Sequence, residues 1–176
     1  TKTLTGSTIL FSDTDIYEGS WITTRYSVDS TNVEQRFVIN DNRADTSTLR
    51  VKVQTSLSDS TTTTYTLATD IALLTSTSTV YFLQEVEAGK YEVYFGDGIL
   101  SKAVTDGNII ILEYVVTNKT LGNGGSTFTN AATISGVSSV TVTTVSDSVG
   151  GAEPESPRSI KLNAPLDYAS QGRCVT

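Results

Sequence analysis

The stretch TLRVKV, residues 48–53, alternates apolar and charged side chains with a period of two, and that spacing constrains the fold more than any other feature of the chain. Successive side chains of an extended strand point to opposite faces, so Leu49, Val51 and Val53 share one face and Arg50 and Lys52 the other. That is the pattern of a strand half buried against a core. WITTRYSV (21–28) and QRFVIN (35–40) read in the same way, with DNRAD (41–45) supplying a turn before the next strand. In TVYFLQEVEAGKYEVYFGDG (79–98) two strand-forming runs flank Ala88-Gly89-Lys90, a short connection whose glycine allows positive φ, and an antiparallel hairpin is predicted. NIIILEYVV (108–116) follows the Asp106-Gly107 turn signal and is apolar enough for burial on both faces, which predicts a central place in the sheet.

The less regular segments divide by their local chemistry. SLSDSTTTTYTLATD (56–70) is read as an ordered strand and turn rather than a polar linker, because Tyr65 and Leu67 interrupt threonines that are themselves good strand formers. The glycines and asparagines of residues 117–133 predict a long surface loop, and SSVTVTTVSDS (138–148) returns to strand alternation through Val140, Val142 and Val145. With 38% hydrophobic and only 18% charged residues, 176 residues suffice to bury one core with room for a small module. The expected fold class is mainly β, an antiparallel sheet or sandwich-like β domain with a C-terminal helical segment, α+β overall in a full-length chain. Residues 1–149 form the β-rich domain, with 1–78 as a candidate sub-module, and 150–176 form a linker and helix leading into a following domain.

That boundary rests on GGAEPESPRSIKLNAPLDYASQGRCVT, residues 150–176, where the alternation stops. Pro157 stands in first-turn position behind a Ser156 cap, as at a helix start. Ile160, Ala164 and Tyr168 line one face and Leu162 and Leu166 an adjacent one, while Pro165 is expected to bend or break the helix.

Composition then removes whole classes of chemistry. Without histidine, the common Ser-His-Asp and Cys-His systems and the usual zinc sites are lost together. A net charge of −7 repels phosphates and argues against nucleic acid. Cys174 is the single cysteine, so no internal disulfide forms; it is read as a small buried hydrophobe with Arg173 as its one basic neighbour in sequence. No run approaches the roughly 18–20 apolar residues that span a bilayer, and no basic, apolar signal segment opens the chain, so a soluble protein without membrane insertion, made in a cytosol, is expected. The lack of any methionine suggests a piece of a longer chain.

The remaining motifs are weak as sites. Asp13 and Asp15, with Glu18 nearby, lack the further ligands and the glycine of a calcium loop and are read as solvated turn residues. FGDGILSK (95–102) has the wrong spacing for a phosphate loop, so Gly96 and Gly98 are assigned to a tight turn in which Asp97 accepts from backbone amides. Asn118-Lys119-Thr120 fits the glycosylation triplet, but such triplets arise by chance in a Thr-rich chain. Glu85, Glu87 and Glu92 are expected to face water near Lys90. No catalytic, cofactor-binding or metal-binding residue is assigned, and the chain is read as a non-enzyme without a cofactor. Its candidate tools are contact surfaces: Trp21, Tyr26, Tyr81 and Tyr94 as aromatic anchors, exposed strand edges, and the helix stripe of Ile160, Ala164 and Tyr168.

Two segments carry a family resemblance. The turn Phe95-Gly96-Asp97-Gly98, followed by a further strand, and then Gly150-Gly151 with Pro154, Glu155 and Ser156, Asn163-Ala164-Pro165, and Arg173, Val175 and Thr176 stand in the order seen in the baseplate J-like family of contractile-tailed phages. The chain resembles, more closely, the baseplate wedge proteins of T4-like phages. The motifs cover roughly the last half of the chain, and Cys174 departs from the small residue expected there. The resemblance implies a structural component of the virion tail baseplate, made late in the host cytoplasm and assembling as a homodimer or ring with other wedge proteins to link neighbouring wedges around the tail hub. It also implies that the final helix is a lead-in to a further domain, with Thr176 placed to cap the next helix. A carbohydrate-binding or host-adhesion β-module of the tail is the alternative reading, motivated by aromatic side chains on a polar β surface. A tail-associated glycosidase is a third, for which no carboxylate pair is marked out.

Overall fold

A computed structural model describes residues 2–5, 8–12, 14–32 and 34–170, so Asp13, Arg173, Cys174, Val175 and Thr176 lie outside the described residues. Among the described residues, nine strands and one α-helix are formed: β1 (Lys2–Thr5), β2 (Thr8–Phe11), β3 (Ser20–Ser27), β4 (Phe37–Ile39), β5 (Ala44–Gln54), β6 (Thr62–Leu67), β7 (Val80–Val86), β8 (Lys90–Tyr94), β9 (Ile109–Val116) and α1 (Pro157–Ser170). The first two pair only with each other. The other seven make one sheet in the order β3-β9-β5-β6-β7-β8-β4, curled until it is nearly a closed barrel.

The expected mainly β class with a C-terminal helix is thus the observed one, but a single curled sheet takes the place of two stacked layers. Curling lets one sheet enclose its own core. Phe37, Ile39, Val51, Val93, Ile110 and Leu112 are almost wholly buried inside it, and tilted to edge-on aromatic contacts run from Tyr26 through Phe37 and Phe95 to Tyr65 with ring centroids 5.3–5.8 Å apart. All pairings are antiparallel except β6 with β7, which run parallel through Thr66↔Val80 and Leu67↔Tyr81. The 3₁₀ turn Ile71–Leu73, capped by Asp70 Oδ1 accepting from the Ala72 N–H at 2.9 Å, sits in the connection that this crossover needs.

The two ends of the sheet, β3 and β4, meet through a side chain. The Tyr26 hydroxyl on β3 donates to the Val38 carbonyl on β4 at 2.6 Å, and burial raises its pKa. Next to it Gln35 bridges the same seam, its Nε2 donating to Ser27 O and its Oε1 accepting from the Asp29 N–H, each at 2.9 Å. Tyr26→Phe leaves the Val38 carbonyl without that donor, and a loss of about 1–2 kcal/mol is expected, read as a lowered thermal midpoint. An unchanged midpoint would show that the seam does not help to hold the sheet.

Several local expectations change. β9 is buried on both faces as predicted, although it lies second in the strand order, between β3 and β5. Its inner residues Ile110, Leu112 and Tyr114 face the core, whereas Ile109, Ile111 and Val115, also buried, stand on the outer face with Lys52 and Gln54 beside them in the register on one side and Trp21 and Arg25 on the other. Residues 138–148 form no strand, and Val145 is 85% exposed. The strand order closes without this segment, and Val145 stands in water with no apolar face over it, so the valine alternation there adds no strand. Residues 56–70 do contain a strand, β6, with Tyr65 turned into the core. Pro165 was expected to bend or break the helix, and α1 runs on through it without a break. Proline withdraws one donor, at Lys161 O, and the neighbouring i to i−4 bonds carry the helix past it.

Candidate functional site

β5 departs from regular pairing between Asp45 and Arg50, where the register against β9 jumps. Such a bulge leaves backbone groups to be satisfied otherwise. Here Thr48 does so: its hydroxyl accepts from the Val115 N–H at 3.0 Å and donates to the Asp45 carbonyl at 2.7 Å. Asp45 Oδ1 in turn accepts from the Ser47 amide and hydroxyl. The bulge opens a shallow surface pocket of about 200 Å³ floored by Leu49 and Val115 and walled by Tyr17, Trp21 and Arg50. Trp21 is 49% exposed, and the Arg50 guanidinium lies 5.1 Å from its ring centroid. Of the sequence-predicted aromatic anchors, only Trp21 is in this pocket. Tyr26 is in the seam, Tyr81 is buried in the core, and Tyr94 stacks on Phe82 at 5.2 Å beneath the Arg36 guanidinium.

The segment that leads into β3 is held by Glu18. Its carboxylate accepts from the Asn118 amide at 2.9 Å and from Asn118 Nδ2 at 2.5 Å, which ties residues before β3 to the loop after β9. Glu18 is therefore a clamp within the chain, and no group of three or more metal-ligating side chains occurs among the described residues.

The same loop holds the glycine pair of the C-terminal motif. Asn123 Nδ2 donates to Gly151 O and its Oδ1 accepts from the Gly151 N–H, both at 2.8 Å, while the Ser148 hydroxyl donates to Gly122 O at 2.6 Å and accepts from the Gly125 N–H at 2.7 Å. A Cβ on Gly151 would overlap the Lys119 carbonyl, so only glycine allows this approach. Lys119 Nζ reaches Glu153 at 3.5 Å, and Pro154 and Glu155 follow. Ser156 caps α1 by accepting from the Ser159 N–H at 3.2 Å, and Glu155, its carboxyl held below the usual range by the Ser159 hydroxyl and then by Asn163 Nδ2, binds across the first turns. Ile160, Ala164 and Tyr168 are all exposed, Tyr168 at 81%.

The other motif packs at the end of the barrel. Phe95 joins the core aromatics, Gly96 leaves no room for a Cβ against Ser101, and Gly98 has φ +88°. Asp97 Oδ1 accepts from the Ile99 N–H at 2.9 Å, which lowers its pKa, so the turn reading of this motif is the observed one. In the preceding hairpin, Lys90 Nζ donates to Asn40 Oδ1 at 2.6 Å, and Glu92 pairs with Arg36 at 3.0 Å.

Asn123, Ser148 and Arg50 were not singled out as functional by sequence reasoning, and Glu18 entered only beside Asp13 and Asp15 as a solvated turn residue. Their partners lie from 23 to 100 residues away, and no local spacing signals such pairs.

Comparison with known proteins bears on the whole sheet. The chain is 29% identical over 126 residues to the baseplate wedge protein gp6 of Enterobacteria phage T4, an alignment covering 57% of this chain. It spans only 19% of that relative's length. The profile of the bacteriophage baseplate wedge protein gp6, third domain, matches residues 23–123, from the second turn of alternation in β3 through the loop that receives Gly151. Since that match takes in more than half of the 176 residues, the chain belongs to the bacteriophage baseplate wedge protein gp6 family.

Proposed function

We propose that this chain is a structural part of a phage tail baseplate, working by protein–protein assembly rather than by catalysis, and that within the full-length protein it self-associates and links neighbouring wedges around the tail hub. Virion residence in the tail baseplate goes with this reading, as does late synthesis in the host cytoplasm, and a contractile tail with a broader kinship to baseplate J-like proteins belongs to the same proposal. Residues 1–149 act as the β unit and 150–176 as the linker and helix.

The observation that carries it is apolar surface outside the curled sheet. Leu4, Leu10 and Phe11 on the β1–β2 hairpin and Ile160, Leu162, Leu166 and Tyr168 on α1 are all exposed. A lone two-stranded hairpin is marginal in water, and side chains of this size are ordinarily covered by a partner. The motif residues Gly150 and Gly151 set where α1 leaves the sheet, and Ile160, Ala164 and Tyr168 are its contact stripe. A sugar-binding reading is weaker because Ser47 and Thr48, the hydroxyls beside Trp21, are spent within the bulge.

Mixing the full-length protein with purified wedge proteins, followed by light scattering on the separated species, tests the reading. Wild type is expected to enter a larger complex, and the doubly substituted Ile160→Asp, Leu166→Asp protein to do so at least about 10-fold more weakly. A wild-type protein that stays monomeric and joins none of them defeats the proposal.

A further inference from the structure

Resting on the assembly reading above, we infer that the outer face of β3, β9 and β5 docks an extended acidic segment of a partner protein, with one carboxylate on Arg50 against Trp21 and a second on Arg25. Strand register places Trp21, Thr23 and Arg25 beside Val115, Glu113 and Ile111, with Arg50 and Lys52 on the far side. The charges on this face are unequally spent. Glu113, opposite Arg50 in the register, is taken by Lys52 at 2.8 Å, and Asp45 is turned onto Ser47. That leaves the Arg50 and Arg25 guanidinium groups without an ion pair among the described residues, on a chain whose net charge is −7.

The pocket's chemistry narrows the occupant. The Ser47 and Thr48 hydroxyls are committed to the bulge, so its unspent groups are one guanidinium, the Tyr17 hydroxyl and Trp21 indole N–H, and the exposed faces of those two rings. A guanidinium beside an aromatic face suits a carboxylate carried on an apolar stem, as in glutamate. With β9 between them and two residues of offset, Arg25 and Arg50 stand about 12 Å apart at their Cα atoms, close to the roughly 13 Å between same-face residues four apart in an extended chain. An acidic strand therefore meets both cations, whereas a neutral surface meets neither.

Trp21 is the only tryptophan of the 176 residues, so its emission reports on this pocket alone. The probe is a synthetic Thr/Val peptide with two glutamates four residues apart, titrated against the full chain, with the Glu→Gln peptide as control. A saturable change in Trp21 emission is expected, weakened about 10-fold or more by the control peptide, by Arg50→Gln, and by salt raised to about 0.5 M. Arg25→Gln should weaken it less, and serves as the reading variant if Arg50→Gln does not fold. No response up to millimolar peptide, equal binding of the control peptide, or saturable binding of a neutral oligosaccharide instead would each overturn the inference. Wild-type entry into the wedge complex without peptide binding sinks this surface but leaves the assembly reading standing, and failure of wild type to enter sinks the assembly reading itself.

Discussion

Leu112→Ala is expected to lower the stability of the chain by about 3–4 kcal/mol, and the thermal midpoint by roughly 10 °C. Leu112 has no exposed surface and lies on β9 between Thr24 of β3 and Val51 of β5. Truncation removes its transfer free energy and leaves a cavity whose walls are three hydrogen-bonded strands, which cannot collapse inward without breaking their ladders. The control is Leu121→Ala, at a side chain 88% exposed, where a change within about 0.5 kcal/mol is expected. Thermal or urea unfolding followed by far-ultraviolet circular dichroism separates the two. Equal small effects would mean that the core is not where the curled sheet puts it.

Gly19→Ala is the second large effect, and it acts on backbone. Gly19 has φ +133°, and an added Cβ would overlap the Val116 carbonyl and a Val115 methyl. Neither obstacle is the end of a flexible chain, because Val116 pairs with Ser20 and Val115 is buried beneath Trp21. The strain is relieved only by lifting the start of β3 off β9, so a cost of about 2–4 kcal/mol is expected, concentrated there. Amide hydrogen exchange should accelerate at Ser20–Ile22 far more than at Val51 or Leu112, and Trp21 emission should shift as its pocket opens. Uniform acceleration over the whole sheet would contradict this local account.

How much of this was readable beforehand depended on the range of the interaction. The alternation at 48–53 put Leu49, Val51 and Val53 on the buried face, and the hairpin around Ala88-Gly89 formed where its turn residues required, with φ +63° and +70°. Both follow from neighbours in sequence. The same alternation at 138–148 gave no strand, because a strand also needs an edge to bond to, and Val140 and Val142 carry no information about which edges are free. Trp21 was recognisable as a contact residue, yet Arg50, also exposed, looked like the ordinary polar side of a strand until the bulge placed it over the indole.

Period, turn chemistry and capping are properties of a few adjacent residues, and they alone determined that this chain is mainly β, where most of its strands lie and where its helix begins at Ser156. Tertiary structure alone decided that the seven strands curl into one sheet sealed by Tyr26 on Val38, and that Glu18 and Gly151 are bound to the loop after β9. The physical reason is that a hydrogen bond or a packed face between residues up to 100 positions apart is set by where the whole backbone closes on itself, and no window of sequence contains that closure.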